Sequence, residues 1–158
     1  MEHHNIPPLY DKNSKILILG SFPSVKSREG QFFYHHPQNR YWKVMAAVFD
    51  CKIPVTMEEK KAMILSHQMA MWDVISSCEI SGSSDSSIRN VIPNDIGKLL
   101  QETEIEKIYT NGGTAHKYYQ KYIRKQIGWD DIMLPSTSPA NAAWSLERLI
   151  AEWKEKIT

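Results

Sequence analysis

The sequence predicts an α/β fold in which a parallel β-sheet is covered by helices on both faces, which gives an α/β/α sandwich of three layers. Short apolar runs alternate along the chain with amphipathic stretches of helical periodicity, the pattern of consecutive β-α units. Four of these runs are predicted strands: residues 15–19, 70–75, 107–110 and 131–134. Such short, nearly continuous apolar runs are typical of strands buried in a parallel sheet.

The helices between these strands are predicted from apolar spacing and from capping signals. Residues 41–49 carry large apolar side chains three and four positions apart, as on one face of a helix. Thr56 and Glu59 form a capping-box pattern, which predicts a helix that continues to about residue 69. Residues 94–103 form a further short predicted helix.

The remaining predicted elements are two helices and a loop. Thr114 is predicted to cap a helix that runs to about residue 126. The polar segment 76–87, SSCEISGSSDSS, is predicted to be a loop. The last helix has five large apolar side chains on one face: Leu146, Leu149, Ile150, Trp153 and Ile157.

Length and composition indicate one ordinary globular domain, residues 1–158, because 42% of the 158 residues are hydrophobic and 23% are charged. The two cysteines, Cys51 and Cys78, fit a reducing compartment without a disulfide framework. The sequence shows neither a signal-peptide pattern nor a run of about 18 apolar residues, so we expect a cytoplasmic, nucleoid-associated protein without membrane contact. The net charge is only +1, so binding to nucleic acid would need locally concentrated positive charge.

Unusual sequence follows the carboxyl end of every predicted strand, in the segments 20–24, 73–77, 111–114 and 135–141. In open parallel sheets, ligands bind beyond the carboxyl ends of the strands. These four loops are therefore predicted to build one site.

Two loop segments combine prolines with small polar residues. In GSFPS, Gly20 permits unusual backbone angles and Pro23 stiffens the turn, although a plain turn with Phe22 in the core explains the pattern equally well. LPSTSPAN, residues 134–141, offers hydroxyl and amide groups to a DNA backbone, or is a loop in which Asn141 caps the last helix.

The segment 31–42, QFFYHHPQNRYW, concentrates aromatic and polar side chains before a predicted helix. Aromatic rings stack on nucleic-acid bases, at about 1–3 kcal/mol for each base. Arg40 and Lys43 are candidates for phosphate contacts, and Asn39 either orients a water molecule or caps the helix. No cluster of Cys, His and Asp has zinc-ligand spacing, so no metal is expected.

Residues 112–125 combine a glycine pair with basic side chains. Gly112 and Gly113 open a predicted helix, whose N-terminus can bind an anion. The basic side chains of this segment either contact DNA or, as is more common for a charged helix face, are exposed to solvent. Four basic residues are expected on one face: Lys117, Lys121, Arg124 and Lys125.

Taken together and in order, these segments resemble the uracil-DNA glycosylase superfamily. HPQNRYWKV, residues 36–44, resembles the HPxNRFWK run of the mismatch-specific and thymine-DNA glycosylases. GSFPS, FYHHPQNRYW, MWDVISSCEISGSSDSSI and LPSTSPAN together resemble the hypoxanthine-DNA (deoxyinosine) glycosylase branch. The resemblance covers about residues 15–141. It implies a four-stranded parallel sheet between helices, DNA with a deaminated base as the substrate, and neither metal nor cofactor; we expect a monomer.

The resemblance and the patterns above together assign roles to individual residues. Asn39 matches the catalytic asparagine of the hypoxanthine branch, and Asp73 matches the position where uracil enzymes read the base with an asparagine. Further base contacts are expected from Ser21, Phe22 and Tyr34. DNA contacts are expected from Pro23, Ser24, Arg40, Lys117, Ser136, Thr137, Ser138 and Asn141.

Two departures from the superfamily pattern bear on the chemistry. Phe22 stands where many members have a water-activating Asp or Asn, and Leu134 replaces the usual histidine of the last motif. A dissociative cleavage needs only a positioned water and stabilised charges, which Asn39 is able to support. Ionised Asp73 would accept the N1–H of hypoxanthine and repel the N1 acceptor of adenine. Since no lysine lies in a loop that directly follows a strand, we expect hydrolysis without a Schiff base.

Other functions stay open from sequence alone. One alternative is an enzyme of the same fold that acts on uracil or another deaminated base. Another is a non-catalytic module that binds nucleic acid. A nucleotide- or phosphate-binding protein is the least supported, because no Walker or G-x-G-x-x-G pattern follows a predicted strand.

Overall fold

The centre of the computed structural model, which describes residues 1–4 and 6–157, is a four-stranded parallel sheet. In chain order, the elements are β1 (Glu2–His3), β2 (Ile16–Gly20), α1 (Val25–Gly30), α2 (Tyr41–Val48), α3 (Met57–Ser66), β3 (Met69–Asp73), β4 (Ile75–Glu79), a 3-10 turn (Asp85–Ser87), β5 (Arg89–Pro93), α4 (Ile96–Gln101), β6 (Lys107–Asn111), α5 (Gly113–Tyr122), α6 (Arg124–Ile127), β7 (Ile132–Leu134) and α7 (Leu146–Ile157). The sheet order is β3-β2-β6-β7, and every neighbouring pair is parallel.

The predicted fold class is confirmed. All four strands of the parallel sheet lie within two residues of the predicted bounds. The capping box at the start of α3 is present, since the Thr56 hydroxyl accepts from the Glu59 N–H and the Glu59 carboxylate accepts from the Thr56 N–H. This helix ends three residues earlier than predicted, because β3 begins at Met69.

The sheet separates two hydrophobic cores because side chains alternate along each strand. On β2, Ile18 faces one core while Leu17 and Leu19 face the other. The first core is completed by α2, α3 and α7, and the second by α4, α5 and part of a smaller sheet. These are the three layers that the sequence predicts.

The smaller sheet is the main difference from the prediction. It has the antiparallel order β1-β4-β5, so residues 76–79, predicted as loop, are strand. The serines of this segment are typical of a loop, so the strand was not predicted. In the structure, Ser77 is 2% exposed and Cys78 is fully buried in the second core. The backbone N–H and C=O groups of this segment pair with β1 and β5. The polarity of its own side chains does not reveal this pairing with distant strands.

The helix boundaries in the C-terminal half also correct the predictions. Gly112, with φ of 100°, is the N-cap of α5, and Thr114 lies inside the helix. The predicted helix to residue 126 is divided into α5 and α6, so the four basic residues do not share one continuous helical face. Ser145, not Asn141, accepts the Arg148 N–H in the first turn of α7.

In the part of the chain that the structure describes, no helix is long and apolar enough to span a bilayer.

The burial of Trp153 predicts a strong dependence of stability on this side chain. Trp153 is fully buried, packs edge-on against Tyr41 and donates its indole N–H to the Pro135 carbonyl at 2.9 Å. We expect Trp153→Ala to lower the free energy of unfolding by about 3–5 kcal/mol in urea titrations followed by circular dichroism. The matched control is Trp129→Ala, since Trp129 is 39% exposed, and it should cost less than about 1 kcal/mol. Equal losses in the two variants would contradict this assignment of the core.

Candidate active site

A cavity of about 380 Å³ opens at the carboxyl ends of the parallel strands. All four predicted loops contribute to its wall, as do Tyr34 and Asn39 from the segment before α2 and the serine-rich segment 83–86. Its volume lies at the lower end of the range for small-molecule sites, about 300–1,000 Å³. The chain thus forms one concave site where the fold class predicts it.

Asp73 places a buried carboxyl group in this cavity. The residue ends β3, is only 4% exposed, and its Oδ2 has no hydrogen-bond partner among the described residues. Burial raises the pKa of Asp73 to about 7, because the ionised form loses its hydration. The unpartnered oxygen is therefore available to a hydrogen-bond donor on a ligand.

Gly20 is required for this close packing of the carboxyl group. A Cβ atom at position 20 would lie 2.6 Å from Asp73 Oδ1 and 3.2 Å from the hydroxyl of Tyr34. Gly20 ends β2, directly beside Asp73 in the parallel register. The glycine of GSFPS therefore makes room for the acid, in addition to any effect on the turn.

Asn39 joins a buried hydrogen-bond network across the site. Its Oδ1 accepts from the Tyr41 N–H and from the Thr137 hydroxyl, both at 2.9 Å. Thr137 in turn accepts from Asn111 Nδ2 at 3.0 Å, and its N–H donates to Asn111 Oδ1 at 3.1 Å. The helix-cap and active-site interpretations of Asn39 are thus compatible, since the side chain bonds the first N–H of α2 and also lines the cavity.

Arg40 has different partners from the phosphates that the sequence predicts. Its Nε and backbone N–H donate to the Thr137 carbonyl, and its Nη2 donates to the carbonyls of Ser138 at 2.8 Å and Asn141 at 3.1 Å. Its Nη1 donates to the carbonyl of Trp144. The guanidinium group therefore holds the loop that follows β7, and four carbonyls of that loop occupy it.

Thr137 corrects a further prediction, because its side chain is fully buried and is not positioned to contact DNA. On either side of it, Ser136 and Ser138 line the cavity, with hydroxyls that accept backbone N–H groups within the loop. The Asn141 amide donates to the Ser136 carbonyl at 3.0 Å, so this side chain also stabilises the loop. Ser136 and Ser138 are therefore the residues of this segment that bring hydroxyl groups with some exposure to the cavity wall, which Thr137 and Ala140 also line.

Phe22 and Tyr34, which are predicted to contact a base, both line the cavity. Each ring also packs against another side chain of the protein. The Tyr34 ring stacks on Tyr41 with a centroid distance of 4.2 Å, and its backbone has a positive φ of 49°. Burial and the charge of Asp73 raise the pKa of the Tyr34 hydroxyl. Phe22 packs against the edge of His4 at 5.3 Å, with the Arg28 guanidinium 5.2 Å from its ring centroid.

The remaining predicted residues divide between the cavity wall and the outer surface. Ser21, Pro23 and Ser24 line the cavity, and the Ser24 hydroxyl also caps α1 by accepting the Ser27 N–H. Lys117 is exposed on α5 and does not line the cavity.

The sequence placed the segment 111–114 at the site but gave Asn111 no role, and it did not predict the segment 83–86 as part of the site. Asn111 is the last residue of β6, so the rule that strand ends carry ligands pointed to it. The segment 83–86 reaches the cavity only because β4 and β5 form the hairpin that carries it, and that hairpin was not predicted.

Neither a metal site nor a candidate Schiff-base lysine is evident in the cavity. Within residues 1–4 and 6–157, no group of three or more His, Cys, Asp or Glu side chains is arranged to hold a metal ion. No lysine is among the described residues that line the cavity. The groups available for chemistry are therefore the carboxyls of Asp73 and Asp85, together with amides, hydroxyls and aromatic rings.

Comparisons with known proteins identify the family to which this chain is similar over nearly its whole length. Residues 7–157 match the model of the uracil DNA glycosylase superfamily. A protein of Methanosarcina acetivorans named hypoxanthine DNA glycosylase is 32% identical over 156 residues, which cover 98% of this chain and 97% of that protein. A protein of the same name from Methanosarcina barkeri is 26% identical, with 98% of both chains covered.

The fold is likewise similar to a solved structure. The solution NMR structure of a uracil DNA glycosylase candidate from Methanosarcina acetivorans superposes with a TM-score of 0.83 at 30% identity. The superposition covers 97% of this chain and 94% of the other.

The buried carboxyl of Asp73 predicts a stability effect of known sign. The folded protein retains this proton up to a pH of about 7, whereas the unfolded chain releases it near 3.8, so stability from this group falls as the pH rises between these values. At pH 8 we expect Asp73→Asn to be more stable than the wild type by up to about 4 kcal/mol, with little difference at pH 3.5.

Urea unfolding at the two pH values measures this difference. The control is Asp95→Asn, which replaces an exposed carboxyl and keeps the side-chain cap of α4, so it should show no comparable gain. A variant Asp73→Asn that is less stable at pH 8 would show that the carboxylate has a stabilising partner.

Proposed function

This chain belongs to the uracil DNA glycosylase superfamily, and we propose that it hydrolyses the N-glycosidic bond of deoxyinosine in DNA and releases hypoxanthine. The observation that carries the proposal is the unpartnered, buried carboxyl oxygen of Asp73, in the same cavity as Asn39. Two relatives named hypoxanthine DNA glycosylase, similar over nearly the whole chain, support the choice of base.

The cavity fits a base that has left the double helix. An enzyme that acts on a base within a duplex must flip the nucleotide out, at a cost of a few kcal/mol that is smaller for a mispaired base. Hypoxanthine opposite thymine is such a mispair. The loop around Ser136 and Ser138 lies at the cavity wall, where small polar side chains are able to press on the DNA backbone.

Asp73 is proposed to distinguish hypoxanthine from adenine. Hypoxanthine carries a hydrogen on N1, and an ionised carboxylate would accept it. Adenine has a lone pair at N1, which an ionised carboxylate would repel. Because this oxygen has no hydrogen-bond donor among the residues that the structure describes, a donor on the base would relieve a cost that the free protein bears.

The bond cleavage requires stabilisation of separated charges. When the C1′–N9 bond breaks, its electron pair moves to the purine and the sugar becomes positive. Water then bonds to C1′ and loses a proton to solvent, and the purine anion takes up a proton from solvent to give free hypoxanthine. Asn39 supplies an amide in the cavity, which is the kind of polar group that stabilises such charges. Since no lysine is among the described lining residues, we propose a water nucleophile and no strand-cleavage step.

The direct test is base release from matched duplexes that carry hypoxanthine, uracil, xanthine or no lesion. We expect free hypoxanthine and an alkali-labile abasic site, with single-turnover rates reduced at least about 100-fold in Asn39→Ala. Gln38→Ala, an exposed neighbour outside the cavity lining, is the matched control and should retain the wild-type rate. Release of uracil alone would change the assigned base, and binding without release from any duplex would replace the enzyme with a binding module.

The pH profile tests the role of Asp73. Burial raises the pKa of this carboxyl to about 7, and the proposed acceptor is its ionised form. We therefore expect kcat/KM for hypoxanthine release to rise through a pH of about 7 and then to level. The rise should disappear in Asp73→Asn and persist in Asp95→Asn. A wild-type rate that falls over the same range would instead identify the protonated carboxyl as the active form.

A further inference from the structure

We propose that Thr137 is a positioning residue that fixes the Asn39 amide with its NH2 group toward the cavity, so that Asn39 acts on the substrate as a hydrogen-bond donor. The inference deepens the proposed function and rests on it. It differs from the expectation that Asn39 orients the attacking water.

The orientation of the Asn39 amide follows from a backbone donor. The Tyr41 N–H is only able to donate, so the Asn39 atom at 2.9 Å from it is the oxygen. The Thr137 hydroxyl lies 2.9 Å from the same oxygen and must therefore donate its proton to it. Two donors occupy the two lone-pair positions of this oxygen, which leaves it no capacity for a water proton.

A second backbone donor fixes the other side of the network. The Thr137 N–H donates to Asn111 Oδ1 at 3.1 Å, so the NH2 group of Asn111 is the part that faces the Thr137 hydroxyl, at 3.0 Å. The hydroxyl accepts there, and its single proton is directed to Asn39. Because Thr137 is fully buried, water does not compete for these bonds.

The group that Asn39 presents to the cavity is therefore its Nδ2. Asn39 is half-buried and lines the cavity, and its Nδ2 has no hydrogen-bond partner among the described residues. In the proposed reaction the sugar becomes positive and the departing purine becomes negative. An N–H donor stabilises only the second of these charges, so the amide acts on the leaving base.

The backbone around Thr137 is held as firmly as its side chain. Its carbonyl accepts from both the backbone N–H and the Nε of Arg40, the residue next to Asn39. The dipeptide Asn39-Arg40 thus bonds both the side chain and the main chain of one threonine. This arrangement gives the amide a fixed direction before substrate binds.

Asn39→Asp separates the donor from the acceptor role. Aspartate keeps an oxygen for Tyr41 and Thr137 but replaces the NH2 group with a second oxygen. At pH 8 we expect its single-turnover rate to fall at least about 100-fold, close to that of Asn39→Ala. Relative to the wild type at each pH, its rate should recover as the pH falls, because a protonated carboxyl again donates. A variant as fast as the wild type, or one whose relative rate rises with pH, would overturn the donor role.

Thr137→Val and Thr137→Ser test the positioning role. Valine keeps the shape and removes the hydroxyl, so we expect the single-turnover rate to fall about 10-fold while DNA affinity stays within about 3-fold; serine should restore most of that rate. In the Asn39→Ala background, Thr137→Val should cause no further loss, because Thr137 acts through Asn39. Additive losses would overturn the positioning role and assign Thr137 to stability alone.

Nuclear magnetic resonance tests the orientation without reference to activity. In the free protein, Asn111 NH2 protons should show cross-relaxation with the Thr137 side chain, and Asn39 NH2 protons should show none with the Tyr41 amide proton. Strong cross-relaxation between Asn39 NH2 and the Tyr41 N–H would overturn the orientation while the proposed function stands. If the spectra agree but the wild type releases no base from any duplex, the proposed function fails and the catalytic role of the donor fails with it.

Discussion

The structure of the site depends on the hydrogen bonds between Asn39-Arg40 and the loop that follows β7. This loop leaves the parallel sheet at Leu134 and passes over the cavity before α7 begins. Its carbonyls lie outside the regular hydrogen-bond ladders of the sheet and of the helices, and buried carbonyls need donors. Arg40 supplies them through its guanidinium group and its backbone N–H, while Asn39 and Asn111 hold Thr137 from the side. One irregular segment thereby becomes a rigid wall of the site.

The carboxyl of Asp73 shows a cost that the rest of the fold offsets. Burial of Asp73, whose Oδ2 has no donor within the described part of the chain, disfavours ionisation of the carboxyl and weakens the folded state at neutral pH. The two hydrophobic cores on either side of the sheet compensate for this local penalty. Perturbed groups of this kind concentrate at functional sites, because the property that destabilises the free protein is the one that a ligand can satisfy.

The position of the site at the carboxyl edge of the parallel sheet explains why four separate loops build it. Parallel strands end at one edge of the sheet, so Gly20, Asp73, Asn111 and the residues after Leu134 are neighbours although they lie far apart in sequence. Gly20 leaves the space that the Asp73 carboxyl fills. Sheet register thus sets which side chains meet, while loop hydrogen bonds set the direction in which each one points.

The sequence by itself determined the layers, the four parallel strands, the capping box of α3 and the four strand-end loops at the cavity, because these follow from local periodicity and from the chemistry of strand ends. It did not reveal β4, whose polar residues are strand only through pairing with β1 and β5. It also assigned Arg40 and Thr137 to DNA, whereas tertiary structure turned both toward the protein. The partner of a polar side chain is decided by residues about one hundred positions away, and sequence patterns carry no information at that distance.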